Sequence, residues 1–170
     1  MGAMALVFSG ASSAQQVPEA LQVPASEQLV AQVHAKGEQI YSCKVDGVLD
    51  QRVLKAPDGW ILKAPEAQLF NKDGKSFGKH FAGPSWEASD GSRVVGKTAA
   101  NAPSPDADSI PWLLVKVVSR TGEGVLARVT SIQRINTKGG KAPASGCDAA
   151  HAGQEVRVAY SADYLFFAPK

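Results

Sequence analysis

Apolar and polar positions alternate along most of the chain, and Asp-Gly pairs repeatedly interrupt the alternation. In Gln39-Ile40-Tyr41-Ser42-Cys43-Lys44-Val45, the residues Tyr41, Cys43 and Val45 share one face and Ser42 and Lys44 the other, as in a half-buried strand. Glycine supplies the positive φ that tight hairpin turns require, so Asp46-Gly47, Asp58-Gly59, Asp73-Gly74 and Asp90-Gly91 predict antiparallel corners. Between and beyond them lie short strand candidates at Trp60–Lys63, Ala67–Asn71, Lys75–Phe81, Trp86–Ala88 and Arg93–Thr98. Asn101–Ser109, with Pro103, Pro105, Asp106 and Asp108, reads as a surface loop. Ile110–Ser119 and Val125–Asn136 are rich in β-branched residues and predict a long hairpin around Arg120–Gly124. Lys138–Gly153 is a Gly/Pro/Ala-rich loop, and Glu155–Phe167 predicts the last strand.

One segment departs from period two. Over Ser26–Ala35, Ser26 is a candidate N-cap, Leu29, Val30 and Val33 fall on one helical face, and Gly37 is a candidate terminator. The prediction is therefore an all-β, mainly antiparallel chain: a single-domain β-barrel or β-sandwich over residues 26–170 with one short N-terminal helix. Residues 15–25, with Pro18 and Pro24, form an extended lead-in. No strand, long helix, strand alternation is present, which excludes Rossmann and TIM architectures.

Composition narrows the function classes. With 170 residues, 44% hydrophobic, the chain is long enough for a real core without a structural metal. A net charge of +2 with no long basic run gives no field for nucleic acid. No apolar run reaches the roughly 18 to 20 residues of a membrane-spanning helix. Within residues 1–14, Met1–Ala5 read as an added remnant and Leu6–Ala14 as a short apolar run ending in small residues that resembles the tail of an export signal. The expected location is secreted or periplasmic. In that setting Cys43 and Cys147 would close one disulfide, which the chain-entropy treatment values at roughly 4 to 5 kcal/mol for a loop of about a hundred residues. The alternative is two separate buried thiols.

Chemistry-bearing residues concentrate in Gly78–Ser92. His80, Trp86, Glu87, Asp90 and Ser92 lie there among glycines and a proline that hold irregular backbone. His80 with Glu87 or Asp90 could act as an acid and base, and Trp86 as a platform for a ring or sugar. The structural alternative makes Trp86 core, Asp90-Gly91 a turn capped by Ser92, and His80 a backbone-bonded histidine. Arg134 would hold an anion, or pair with Glu87 or Asp90 if buried. His34, His80 and His151 sit at no metal-ligand spacing, so no metal or cofactor is expected. GxSxG is absent, and Thr137-Lys138-Gly139-Gly140-Lys141 lacks the first glycine of a phosphate loop. Its glycines predict a close backbone passage instead.

Several blocks together resemble domain-of-unknown-function family 3455: Gly37-Glu38-Gln39-Ile40-Tyr41-Ser42-Cys43, Pro65–Phe70, Gly78–Trp86, Asp90-Gly91-Ser92, Ile110–Leu114, and Ile132–Gly140 through Cys147. The resemblance runs from about Val23 to Phe167 and implies a single exported domain. It draws interest to Gln39, Tyr41, Trp112 and Thr137 beside His80, Trp86, Asp90, Ser92 and Arg134, and carries no established roles. Some fungal relatives bear a malate-dehydrogenase label, which this sequence does not support: it has no GxGxxG after a strand and no room for two domains. The leading expectation is a β-rich binding module for a small molecule or glycan, with Gln39, Tyr41, His80, Trp86, Glu87, Asp90, Ser92, Arg134 and Thr137 as candidate site residues. The competitors are a hydrolase or lyase built on His80, and a structural envelope or matrix protein. Oligomeric state is not readable from the sequence.

Overall fold

Eight antiparallel strands form one continuous sheet, each hydrogen-bonded to the next in sequence. The last returns to pair with the first, so the sheet closes into a barrel. The structure is a computed structural model that describes residues 16–45 and 59–170. The expected leader at residues 1–14 and the Asp46-Gly47 turn lie outside the described residues, as does Asp58. The strands are β1 (Glu27–Lys44), β2 (Gly59–Phe70), β3 (Ser76–Phe81), β4 (Ser85–Ala88), β5 (Arg93–Ala102), β6 (Trp112–Thr121), β7 (Ser131–Gly139) and β8 (Glu155–Pro169). The all-β class and its antiparallel order agree with the two-residue rhythm.

The expected helix over Ser26–Ala35 is overturned: these residues open β1, paired with β8 from Glu27↔Pro169 onward. An isolated helix this short is marginal in water. As a strand, the segment turns Val33 and Ala35 into the interior, both essentially inaccessible, and satisfies its backbone against β8. The lead-in itself holds one 3₁₀ turn, Glu19–Leu21, the only helical feature before the barrel among the described residues. Leu21 is fully buried there against Trp112, Leu114 and Ile135 on the outer face of β6 and β7, and its carbonyl accepts from Gln133 Nε2 at 2.6 Å.

A second correction concerns the long hairpin. The predicted strand Val125–Asn136 begins only at Ser131. Leu126 and Val129, both 0% exposed, instead fold into one end of the barrel as a plug. Two buried apolar residues three apart suit a turn closing an open end better than a strand with one face in water. The rest of the interior comes from alternate positions of the strands: Ala67 and Leu69, Trp86 and Ala88, Val115, Ile132, and Tyr160, Ala162, Tyr164 and Phe166.

Register decides where the wall is open. β3 and β4 form a short hairpin whose tip is Ala82-Gly83-Pro84. β2 meets β3 only over Ala67–Phe70, and β5 meets β4 only over Arg93–Val95. The Gly96 amide of β5 still donates to the Pro84 carbonyl of the tip at 3.0 Å, and beyond it the remainder of both longer strands has no strand partner on that side. Pro65 lies on this unpaired part of β2, where its missing N–H breaks no ladder bond to β3. The expected break between Trp60–Lys63 and Ala67–Asn71 is therefore absent, and β2 is one strand.

Candidate functional site

The gap beyond the β3–β4 tip leads into a cavity of about 290 Å³ in the barrel interior. Leu62 to Pro65 of β2 form one side, Gly83 and Pro84 the sill, and Thr98, Leu113 and Val115 the opposite side. Gln39, His80, Trp86, Arg134 and Tyr164 line the depth. All five sit at inward positions of their strands, so strand alternation aims them at a common volume.

His80 is 3% exposed, and its Nδ1 lies 2.8 Å from the Ser85 carbonyl. A carbonyl only accepts, so Nδ1 carries the proton. Burial drives the His80 pKa down to about 3, against the Ser85 bond and with the Arg134 charge adding to the fall. The ring is neutral at physiological pH. It stacks on Trp86 with centroids 4.4 Å apart and planes 13° apart, and Tyr164 meets the Trp86 edge at 5.5 Å. Trp86 is thus covered by its own neighbours and offers no free face to a sugar, unlike the platform expected from the sequence.

Two donors at this site have no protein partner. Gln39 is 2% exposed and Trp86 1%, yet Gln39 Nε2 and Trp86 Nε1 make no hydrogen bond. Each such group costs about 1–3 kcal/mol when left unmade. Arg134 donates through Nε (3.2 Å) and Nη2 (2.8 Å), both to the Pro111 carbonyl. Among the described residues no ion pair involves Arg134. Its charge acts on His80, Tyr41, Tyr160 and Tyr164, whose phenol pKa values burial nonetheless raises. Among the described residues no Asp or Glu lines the cavity.

The other candidate residues are placed elsewhere. Glu87, between the inward Trp86 and Ala88, reaches Lys79 at 3.1 Å across the β3–β4 pair. Asp90 and Ser92 lie at the plugged end. Asp90 Oδ1 accepts from the Ser92 amide (2.9 Å) and hydroxyl (2.5 Å), and its Oδ2 accepts from the Val125 amide (2.8 Å). Those bonds hold its carboxyl below the usual range, the Ser92 hydroxyl first. Ser92 Oγ in turn accepts from the Leu126 amide at 3.1 Å. The pair is a clamp on the plug, with the Asp90-Gly91 corner made by Gly91 at φ 86°. His80 therefore has neither Glu87 nor Asp90 as a partner, and Arg134 pairs with neither.

Tyr41 and Thr137 tie down the loops at the open end. Tyr41 Oη donates to the Gly140 carbonyl and Thr137 Oγ1 to that of Ile110, each at 2.6 Å. Gly140, at φ 83°, passes so close to β8 that a Cβ there would meet the Tyr160 Cβ at 2.8 Å, the close passage its glycines predict. Cys43 and Cys147 form a disulfide with Cα atoms 5.3 Å apart, pinning the end of β1 to the 140–154 loop. Sequence reasoning overlooked Tyr164, Leu62, Thr98, Leu113 and Val115. The Tyr160, Ala162, Tyr164, Phe166 alternation in β8 was the available signal for Tyr164.

A wider surface hollow of about 670 Å³ at Ser104, Asp106, Trp112 and Lys138 contains its own counter-ions, Lys138 pairing with Asp106 at 3.0 Å. Among the described residues no group of three His, Cys, Asp or Glu is placed to hold a metal. No helix among them is long and apolar enough to cross a membrane. A family described as "Protein of unknown function (DUF3455)" matches residues 24–168. No curated protein and no solved structure matches the chain.

Proposed function

The chain belongs to the DUF3455 family, a family of unknown function, and we propose that it is a small-molecule binding module whose ligand enters past the β3–β4 tip. The observation that carries this reading is a cavity reached through a gap in the sheet and lined by Gln39, His80, Trp86 and Arg134, with Arg134 in no ion pair among the described residues. Buried polar groups ordinarily find partners, and Gln39 Nε2 and Trp86 Nε1 on two of these residues have none. A cavity near the lower end of the usual 300–1,000 Å³ range fits a ligand of one ring better than an oligosaccharide. The stacking of His80 over Trp86 further favours a small molecule over a glycan. A secreted or periplasmic location accords with the disulfide, since such bonds persist in oxidising compartments.

The acid-base reading lacks a carboxylate beside His80 among the described residues, and the structural reading leaves Gln39 and Trp86 unsatisfied for no gain. Ala64→Phe tests the proposal by filling the cavity from its half-exposed β2 wall. Members of a one-ring fragment library should raise the melting temperature of the wild type and not of the variant, with the unliganded melting temperatures similar. Stabilising fragments that work equally on Ala64→Phe would place binding elsewhere and end this reading.

A further inference from the structure

Resting on the binding reading above, we infer that the ligand is a small organic carboxylate, seated with its anionic end toward Arg134 and its apolar body against Leu62, Pro65, Pro84, Leu113 and Val115. The cavity is built for acceptance of negative charge from one side only. Arg134 donates through Nε and Nη2 to a single carbonyl and acts on the Tyr164 hydroxyl beside it, and it pairs with no carboxylate among the described residues. A guanidinium presents five N–H groups in a planar fork that matches a carboxylate. Among the described residues the lining contains no acid that could neutralise it. The other cation there, Lys63, is already paired with Glu155 at 2.5 Å.

Gln39 Nε2 and Trp86 Nε1 are donors, and both lack acceptors. Arg134 is the charged group of the lining without a counter-ion among the described residues, which suits an anion, and Gln39 and Trp86 beside it carry further donors without protein partners. The His80 ring is uncharged and adds no second positive charge, so a monoanion balances the site. The rest of the lining is aliphatic or proline, suited to a ring or short chain that carries the carboxylate.

The discriminating experiment compares acids with their amides. Benzoate, phenylacetate and 4-hydroxybenzoate, and the matching amides, are titrated into the full chain by calorimetry, with the tryptophan indole N–H signals followed by NMR. The acids should bind at least tenfold tighter than the amides and move one indole signal. Arg134→Gln should abolish the preference, and Arg134→Lys should retain part of it. Amides that bind as well as acids, in wild type and in Arg134→Gln alike, would overturn the carboxylate while leaving the cavity as a binding site. If neither series binds, or if both bind equally to Ala64→Phe, the carboxylate and the cavity reading fall together. The acid-to-amide ratio in wild type decides the matter even where an Arg134 variant does not fold.

Discussion

The two ends of the barrel carry polar clusters of similar make-up in opposite states. At the plugged end, Asp90 and Ser92 use their oxygens on one another and on the amides of Ser92, Val125 and Leu126. At the open end, Gln39 and Trp86 are as deeply buried as Ser92 but leave donors unmade, and Arg134 has no counter-ion among the described residues. Both clusters consist of residue types that serve catalysis or binding. Saturation distinguishes them: a polar group whose partners are all protein holds the fold, and one without partners is open to a ligand.

The sharpest way to break the comparison at the open end is acid. The His80 pKa falls from about 6.5 in the unfolded chain to about 3 in the fold, so the unfolded state binds the proton first. Its contribution to stability is complete above pH 6.5 and is lost progressively toward pH 3, at about 1.4 kcal/mol per pH unit. Denaturant melts between pH 7 and 4 should show that decline, and His80→Gln should flatten it. An imidazole NMR titration of His80 with a midpoint near pH 6.5 would remove the effect and reopen an acid-base role.

At the plugged end, Ser92→Ala strips the Leu126 amide of its acceptor and Asp90 of a donor in a fully buried position. A loss of about 1–3 kcal/mol in unfolding free energy is expected. Benzoate affinity should be unchanged, because the clamp lies at the opposite end from the cavity. Gln39→Leu is the mirror case and the smallest effect on stability. It replaces a buried donor lacking a partner by an apolar group of similar size, so stability should stay within about 1 kcal/mol of wild type or rise. Affinity for benzoate should drop even so. If Gln39→Leu unfolds the protein as readily as Ser92→Ala does, the two ends are alike and the distinction collapses.

Local pattern was enough for the strand-rich class and for the Asp73-Gly74 and Asp90-Gly91 corners, because alternation and glycine turns are properties of a few adjacent residues. It failed at Ser26–Ala35, where short-range helical spacing lost to pairing with β8, a partner more than a hundred residues away. It failed again at Val125–Thr130, where closing the barrel end outweighed strand preference. Within the candidate site, sequence picked out His80, Trp86, Arg134 and Gln39. It could not separate them from Asp90, Ser92, Glu87 and Thr137, which have the same chemistry and nearby positions in the chain.

By itself, then, the sequence determined which residues carry chemistry and which backbone rhythm the chain adopts. Tertiary structure alone decided which of those residues face each other. Strand register sends His80 and Trp86 inward and Glu87 outward, and the shortness of β3 and β4 opens the wall beside them. Whether a buried donor has a partner is a fact about three-dimensional neighbours, and no spacing along the chain encodes it.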